Sequence, residues 1–188
     1  MMFSDENLID QYLKGDERAL EILIKRYLKP IFSFIFRFVR DSQEAEDITQ
    51  EVFVKVWRNL KRFDKKRKFK TWIFTIAKNS CLDWLKKKKE ITFSEIEEEK
   101  NSFVENIPDR CLLPNEIFER EDLVNLLNEA LEKLSPKYKM VLLLRYNDHF
   151  TFKEIAETLE EPLNTIKSRH KRAIDKLKIF LKSKNKNK

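Results

Sequence analysis

The chain has 188 residues, of which 41% are apolar and 38% charged, with a formal net charge of +7, one glycine and five prolines. The apolar share is enough for a buried core and too high for a wholly disordered chain. A single glycine starves an all-β or Rossmann-type fold of turns, so the composition predicts an all-α protein of one domain or two small ones.

From Asn7 to Arg40 the apolar residues recur with helical spacing. Leu8, Tyr12 and Leu13 share a face, as do Leu20, Leu23, Ile24 and Tyr27. Gly15-Asp16 breaks the run and caps the next helix. Ile31 to Val39 is almost wholly apolar, but its nine residues are too few to cross a bilayer. Ser42 to Leu60 is a second helical segment, with Ile48, Val52, Val56 and Leu60 at every fourth position. Trp72 to Leu85 is a third, ended by the run Lys86 to Lys89. From Glu90 to about Asn115 periodicity fails and acids dominate, which reads as a linker. Ile117 to Leu134 is amphipathic. Ser135-Pro136 starts the next helix, with Ser as N-cap and Pro at its first position. Thr151-Phe152-Lys153-Glu154 is a capping box that opens a short helix with Ile155, Ala156 and Leu159 inward. Pro162 interrupts it, and a last helix runs from about Asn164 to Leu181.

Charge is distributed in blocks. Lys61 to Lys89 holds twelve Lys or Arg against Asp64 and Asp83, a balance of +10. Glu90 to Asp122 holds eleven acids against Lys100, Arg110 and Arg120, a balance of −8. Leu163 to Lys188 holds ten Lys or Arg against Asp175, a balance of +9. Two basic blocks around an acidic middle suit two separate contacts with a polyanion. Cys81 and Cys111 form no metal-binding or disulfide pattern. No cationic start leads into a long apolar stretch, and no run is long enough to span a membrane, so a cytoplasmic protein without membrane insertion is expected.

Three constellations carry chemistry. A short helix, a break at Glu160-Glu161-Pro162 and a longer basic helix describe a helix-turn-helix. On its second helix Ile166, His170, Ala173, Ile174 and Leu177 follow core spacing, which turns Lys167, Ser168, Lys171 and Arg172 outward, where they can hold phosphates and reach base edges. From Lys61 to Trp84, aromatic residues alternate with cations, a pattern that suits stacked bases of an opened strand. Phe74 and Trp84 read as core, whereas Phe63 and Phe69, flanking the charged run Asp64 to Lys68, read as loop positions. Glu44, Asp47 and Glu51 share one helical face with Gln50 beside it, a stripe that repels DNA and suits a basic protein partner. No catalytic, metal-binding or cofactor-binding pattern is present: one glycine allows no phosphate loop, and His149 and His170 have no ligand spacing.

These residues resemble the extracytoplasmic-function sigma factors of the sigma-70 family. Asp41 to Trp57, DSQEAEDITQEVFVKVW, is similar to their polymerase-binding segment, and Phe69 to Asn79, FKTWIFTIAKN, to their promoter-melting segment. Leu142 to Tyr146, Phe152 to Ala156 and Thr165 to Arg169 resemble their fourth-region helix-turn-helix. The likeness runs from about Asp5 to Phe180 in the right order. It implies two helical domains joined by an acidic linker: region 2 at 1–89, the linker at 90–115 and region 4 at 116–188. It also implies roles. Glu44, Asp47, Gln50 and Glu51 would meet the clamp helices of core RNA polymerase. Phe63, Lys65, Lys66, Arg67, Lys68, Phe69 and Lys70, with Trp72 and Asn79, would capture a flipped minus-ten base and hold the melted strand of promoter DNA. Asn164, Thr165, Lys167, Ser168, Lys171 and Arg172 would read the minus-thirty-five duplex. An anti-sigma factor is the further partner implied, and it could hold the protein at a membrane.

The sequence departs from the family at two points. The family has glycine and an apolar residue before the turn proline, where this chain has Glu160 and Glu161, and an apolar residue where His170 stands. Two other readings compete. A free-standing helix-turn-helix regulator explains the C-terminal half but not the acidic stripe or the aromatic-basic stretch. A nuclease would need acids clustered for metal beside a basic groove.

Overall fold

The computed structural model describes residues 3–94 and 126–185, and among these every regular element is helical. Four helices form the N-terminal unit: α1 (Asp5–Leu13), α2 (Glu17–Val39), α3 (Ser42–Asn59) and α4 (Phe69–Ser94). The C-terminal unit contains α5 (126–132), α6 (Pro136–Leu142), α7 (Phe152–Leu159) and α8 (Leu163–Asn185).

Local chemistry sets the helix starts. The Asp16 carboxylate accepts from the Arg18 amide at 3.0 Å, and the Asp41 carboxylate accepts from the Glu44 amide at 3.0 Å. Each satisfies an N–H that has no partner within its own helix. The capping box at α7 is complete: the Thr151 hydroxyl accepts from the Glu154 amide at 3.2 Å, and the Glu154 carboxylate accepts from the Thr151 amide at 2.9 Å. Ser135 stands as N-cap of α6 with Pro136 in its first turn, although the Ser135 side chain makes no capping bond.

Two expected boundaries move. α4 does not end at Lys86 to Lys89 but continues to Ser94, so the first residues after the lysine run, 90–94, are helical. Lysine is a good helix former, and a solvated run of it contains no breaker. The remainder of the expected linker, and the first part of the amphipathic stretch from Ile117, lie outside the described residues. α8 likewise extends to Asn185, past Leu181.

The two units share one core. Ile31, Phe34 and Ile35 of α2, Val52 of α3 and Phe74 of α4 are buried in the same cluster as Met140, Leu144, Phe150, Ile155 and Ile166. Phe74 lies edge-on to Phe34 on one side, at 5.4 Å, and to Phe150 on the other, at 5.0 Å. A smaller cluster of Leu134, Leu142 and Ala173 seals α5 and α6 against α8.

Candidate nucleic-acid interface

The acidic stripe is built as the spacing implies. Ala45, Ile48, Val52 and Val56 bury one face of α3, which leaves Glu44, Asp47, Gln50 and Glu51 exposed. Glu51 is paired with Lys55 at 2.7 Å, whereas Glu44 and Asp47 form no ion pair among the described residues. The stripe has apolar company that the spacing alone did not single out. Val54 and Trp57 continue along α3 in solvent, Trp57 with 54% of its surface exposed. Beside Gln50 a largely apolar groove of about 460 Å³ runs between α2 and α3, lined by Leu28, Phe32 and Thr49 with Lys25, Lys29 and Glu46.

The aromatic-basic stretch differs from its expectation. Phe63 and Phe69 are not loop positions open to solvent: they are 8% and 2% exposed and belong to the core. Phe63 meets Phe69 at 5.7 Å and Trp72 at 5.0 Å, and Phe69 also meets Tyr27 edge-on at 5.2 Å. The rings staple both ends of the charged loop, so Lys65, Lys66 and Lys68 point outward from an anchored frame. Two of the loop's cations and one at the start of α4 already have partners: Lys65 pairs with Asp10, Lys68 with Glu154 at 2.8 Å, and the Lys70 ammonium donates to the Asp148 carbonyl at 2.6 Å.

Trp72 and Asn79 do converge on one feature, an open cleft of about 510 Å³ between α3 and α4. Its other walls are Lys55, Asn59, Arg62 and Ile76. None of these four was singled out from sequence, although Trp72, Ile76 and Asn79 recur at one helical face and Lys55 and Asn59 stand four apart. The cleft therefore offers an indole and an apolar wall for stacking, two amides for base edges, and two cations for phosphate.

The helix-turn-helix is present, with both departures accommodated. Glu160 ends α7 in the left-handed region at φ 56°, the conformation for which glycine is the usual choice. Its carboxylate pairs with Lys78 of α4 at 3.0 Å, and Glu161 forms a two-pronged pair with Arg169 of α8, at 2.6 and 2.9 Å. His170 sits half-buried between Tyr146 and Phe152, and its Nε2 lies 3.0 Å from the Tyr146 hydroxyl. Burial, and then the charge of Arg145, hold its pKa below the usual histidine value, which favours the neutral ring where the family has an apolar residue. Ile166 and Ala173 are buried while Asn164, Lys167, Ser168, Lys171 and Arg172 are exposed and Thr165 is half-buried. The reading face is open.

The chain matches the family described as Sigma-70 region 2 over residues 23–91 and that described as Sigma-70, region 4 over residues 125–177. It is 33% identical to the ECF RNA polymerase sigma factor SigW of Bacillus subtilis (strain 168), over 93% of this chain and 95% of that protein. The chain is an ECF sigma factor of the sigma-70 family. The RNA polymerase sigma-H factor of Pseudomonas aeruginosa is 30% identical to this sigma factor, with 92% of each chain covered. Two solved structures share its fold at 22% identity. One is CnrH in complex with the cytosolic domain of CnrY, with a TM-score of 0.71 over 96% of this chain and 99% of that one. The other is the sigma factor RpoE in complex with the anti-sigma factor NepR from Bartonella quintana, with a TM-score of 0.72 over 86% and 96%. As a sigma factor the protein is an alternative initiation subunit of RNA polymerase, and among the described residues no helix is long and apolar enough to cross a membrane.

Proposed function

We propose that the sigma factor divides its work among three surfaces: polymerase docking on α3, strand capture in the α3–α4 cleft, and duplex reading on α8. The assignment takes 1–89 as region 2, 90–115 as linker and 116–188 as region 4. It acts in the cytoplasm by binding rather than by catalysis, on core polymerase and promoter DNA, and an anti-sigma factor silences it. The complex of RpoE with the anti-sigma factor NepR supports that last partner. The observation that carries the reading is the cleft. An indole, two amides and two cations around about 510 Å³ match what an unpaired nucleotide offers: a π-face, polar edges and a phosphate.

For docking, Glu44, Asp47, Gln50 and Glu51 supply the polar part of the contact. Leu28, Phe32, Val54 and Trp57 add the apolar area that acids cannot. A basic helical partner with an apolar edge fits both.

Strand opening provides the direct test. Trp72→Ala is expected to leave duplex binding intact and to weaken capture of the opened strand roughly 5- to 150-fold, the range for one lost base-stacking contact. Permanganate reactivity of promoter thymines reads this, and Trp72→Tyr should recover much of it. Unchanged reactivity in Trp72→Ala, with a normal melting curve, would remove the cleft from strand capture. Phe63, first in line for such a test from sequence, is a poor choice because its ring is core.

Arg172→Ala is expected to weaken binding to the cognate minus-thirty-five duplex by roughly 1–3 kcal/mol if Arg172 reads a base. Gel-shift titrations on cognate and scrambled duplexes separate the roles. Equal loss on both would make it a phosphate contact.

A further inference from the structure

Resting on the sigma-factor reading, we infer that this chain masks its own strand-binding helix, with the Lys78–Glu160 pair as the latch. The covered face of α4 is polar by sequence and buried in fact. Thr71, Thr75 and Lys78, spaced i, i+4 and i+7, are all buried. Thr75 donates to the Thr71 carbonyl at 2.9 Å and also lies 3.4 Å from the Thr158 carbonyl of α7. Around this face the C-terminal unit supplies an acceptor to each of three α4-side cations: Glu154 to Lys68, the Asp148 carbonyl to Lys70, and Glu160 to Lys78. Lys70 lies in addition over the Phe150 ring, 4.4 Å from its centre. Acceptors on α7 and on the turn before it therefore occupy the places a nucleic-acid backbone would take beside these cations.

The latch uses Glu160, which stands where the family pattern has glycine. Glycine would take the left-handed turn at position 160 without strain, whereas glutamate there is strained. In return the glutamate reaches Lys78, whose side chain is only 8% exposed and has no other anionic partner among the described residues. A further tie lies at the other end of the interface, where buried Lys139 of α6 donates to the Phe38 carbonyl of α2 at 2.9 Å. The mask is partial. The Trp72–Asn79 side of α4, the acidic stripe and the reading face of α8 all stay open. In this closed form the acidic stripe and the α8 face are exposed, while the α4 cations reach a single strand only after the two units part.

Zero-length carbodiimide coupling of the intact, dilute protein tests this, because it joins an amine to a carboxylate only when the two are in contact. Mass spectrometry of the monomer is expected to find Lys78–Glu160 and Lys68–Glu154 amides, and both should fall when a single-stranded DNA oligonucleotide is added. The coupled monomer should bind that oligonucleotide more weakly than untreated protein. Glu160→Gln, which drops the latch, should bind it roughly two- to fivefold more tightly, the scale of one partly shielded ion pair. Glu160→Gly, which drops the latch and relieves the turn, should do the same, whereas Asp175→Asn, an equal charge change on exposed α8, should not. Absence of both amides from the free protein, or equal oligonucleotide affinity in the coupled and both Glu160 variants, overturns the mask. Co-elution with core polymerase is measured alongside. If it persists while the mask fails, the sigma-factor reading stands; if no form binds polymerase or DNA, both fall.

Discussion

Phe74→Ala is expected to destabilise the folded chain by about 3–5 kcal/mol, the usual cost of emptying a fully buried phenylalanine site. The ring is wholly inaccessible to solvent and stands between α2 and the turn before α7. It touches Phe34 and Phe150 edge-on at 5.4 and 5.0 Å, so truncation removes two ring contacts as well as buried area. Neither neighbour can fill the space without leaving its own site in the shared core. Urea unfolding followed by circular dichroism measures the effect as a lower midpoint at unchanged slope. Because Phe74 joins the two units, the wild-type protein should unfold in one transition. An unaltered midpoint in Phe74→Ala would mean that the rings do not meet in solution.

What could be read from sequence follows from how local each cause is. The α7 capping box needs only Thr151 and Glu154, three residues apart, and both hydrogen bonds form. The reading face of α8 follows from Ile166 and Ala173 turning inward at helical spacing. Phe63 and Phe69 were harder, because the loop between them breaks the period and leaves no local sign of which way a ring faces. Phe69 is covered by Tyr27, some forty residues earlier in the chain, and Phe63 packs in turn on Phe69 and Trp72. Lys78 is harder still. A lysine beside threonines reads as a wet helix face, and its partner Glu160 lies 82 residues away. That glutamate stands where the family has glycine was legible at position 160, but neither its left-handed backbone nor the contact with Lys78 was. The groove at Leu28 and Phe32 needs two helices to exist, so neither helix alone could reveal it.

Asp47→Arg is expected to weaken binding to core polymerase roughly 30-fold or more while leaving the fold intact, since like charges brought together in an interface cost several kcal/mol. Asp47 is exposed on α3 and forms no ion pair among the described residues, so its charge serves no contact within the chain. Glu51 differs: Lys55 already holds it at 2.7 Å, and reversing it would disturb both the docking face and the cleft that Lys55 lines. Asp47 is therefore the cleaner probe. Gel filtration with sigma-free core measures co-elution, and a melting curve checks the fold. Electrostatic docking should also weaken with salt in the wild type, and the reversed variant should lose most of that dependence. Co-elution at wild-type levels would move the polymerase contact off the acidic stripe and onto the apolar residues Leu28, Val54 and Trp57, where truncation of Trp57 would then carry the larger loss.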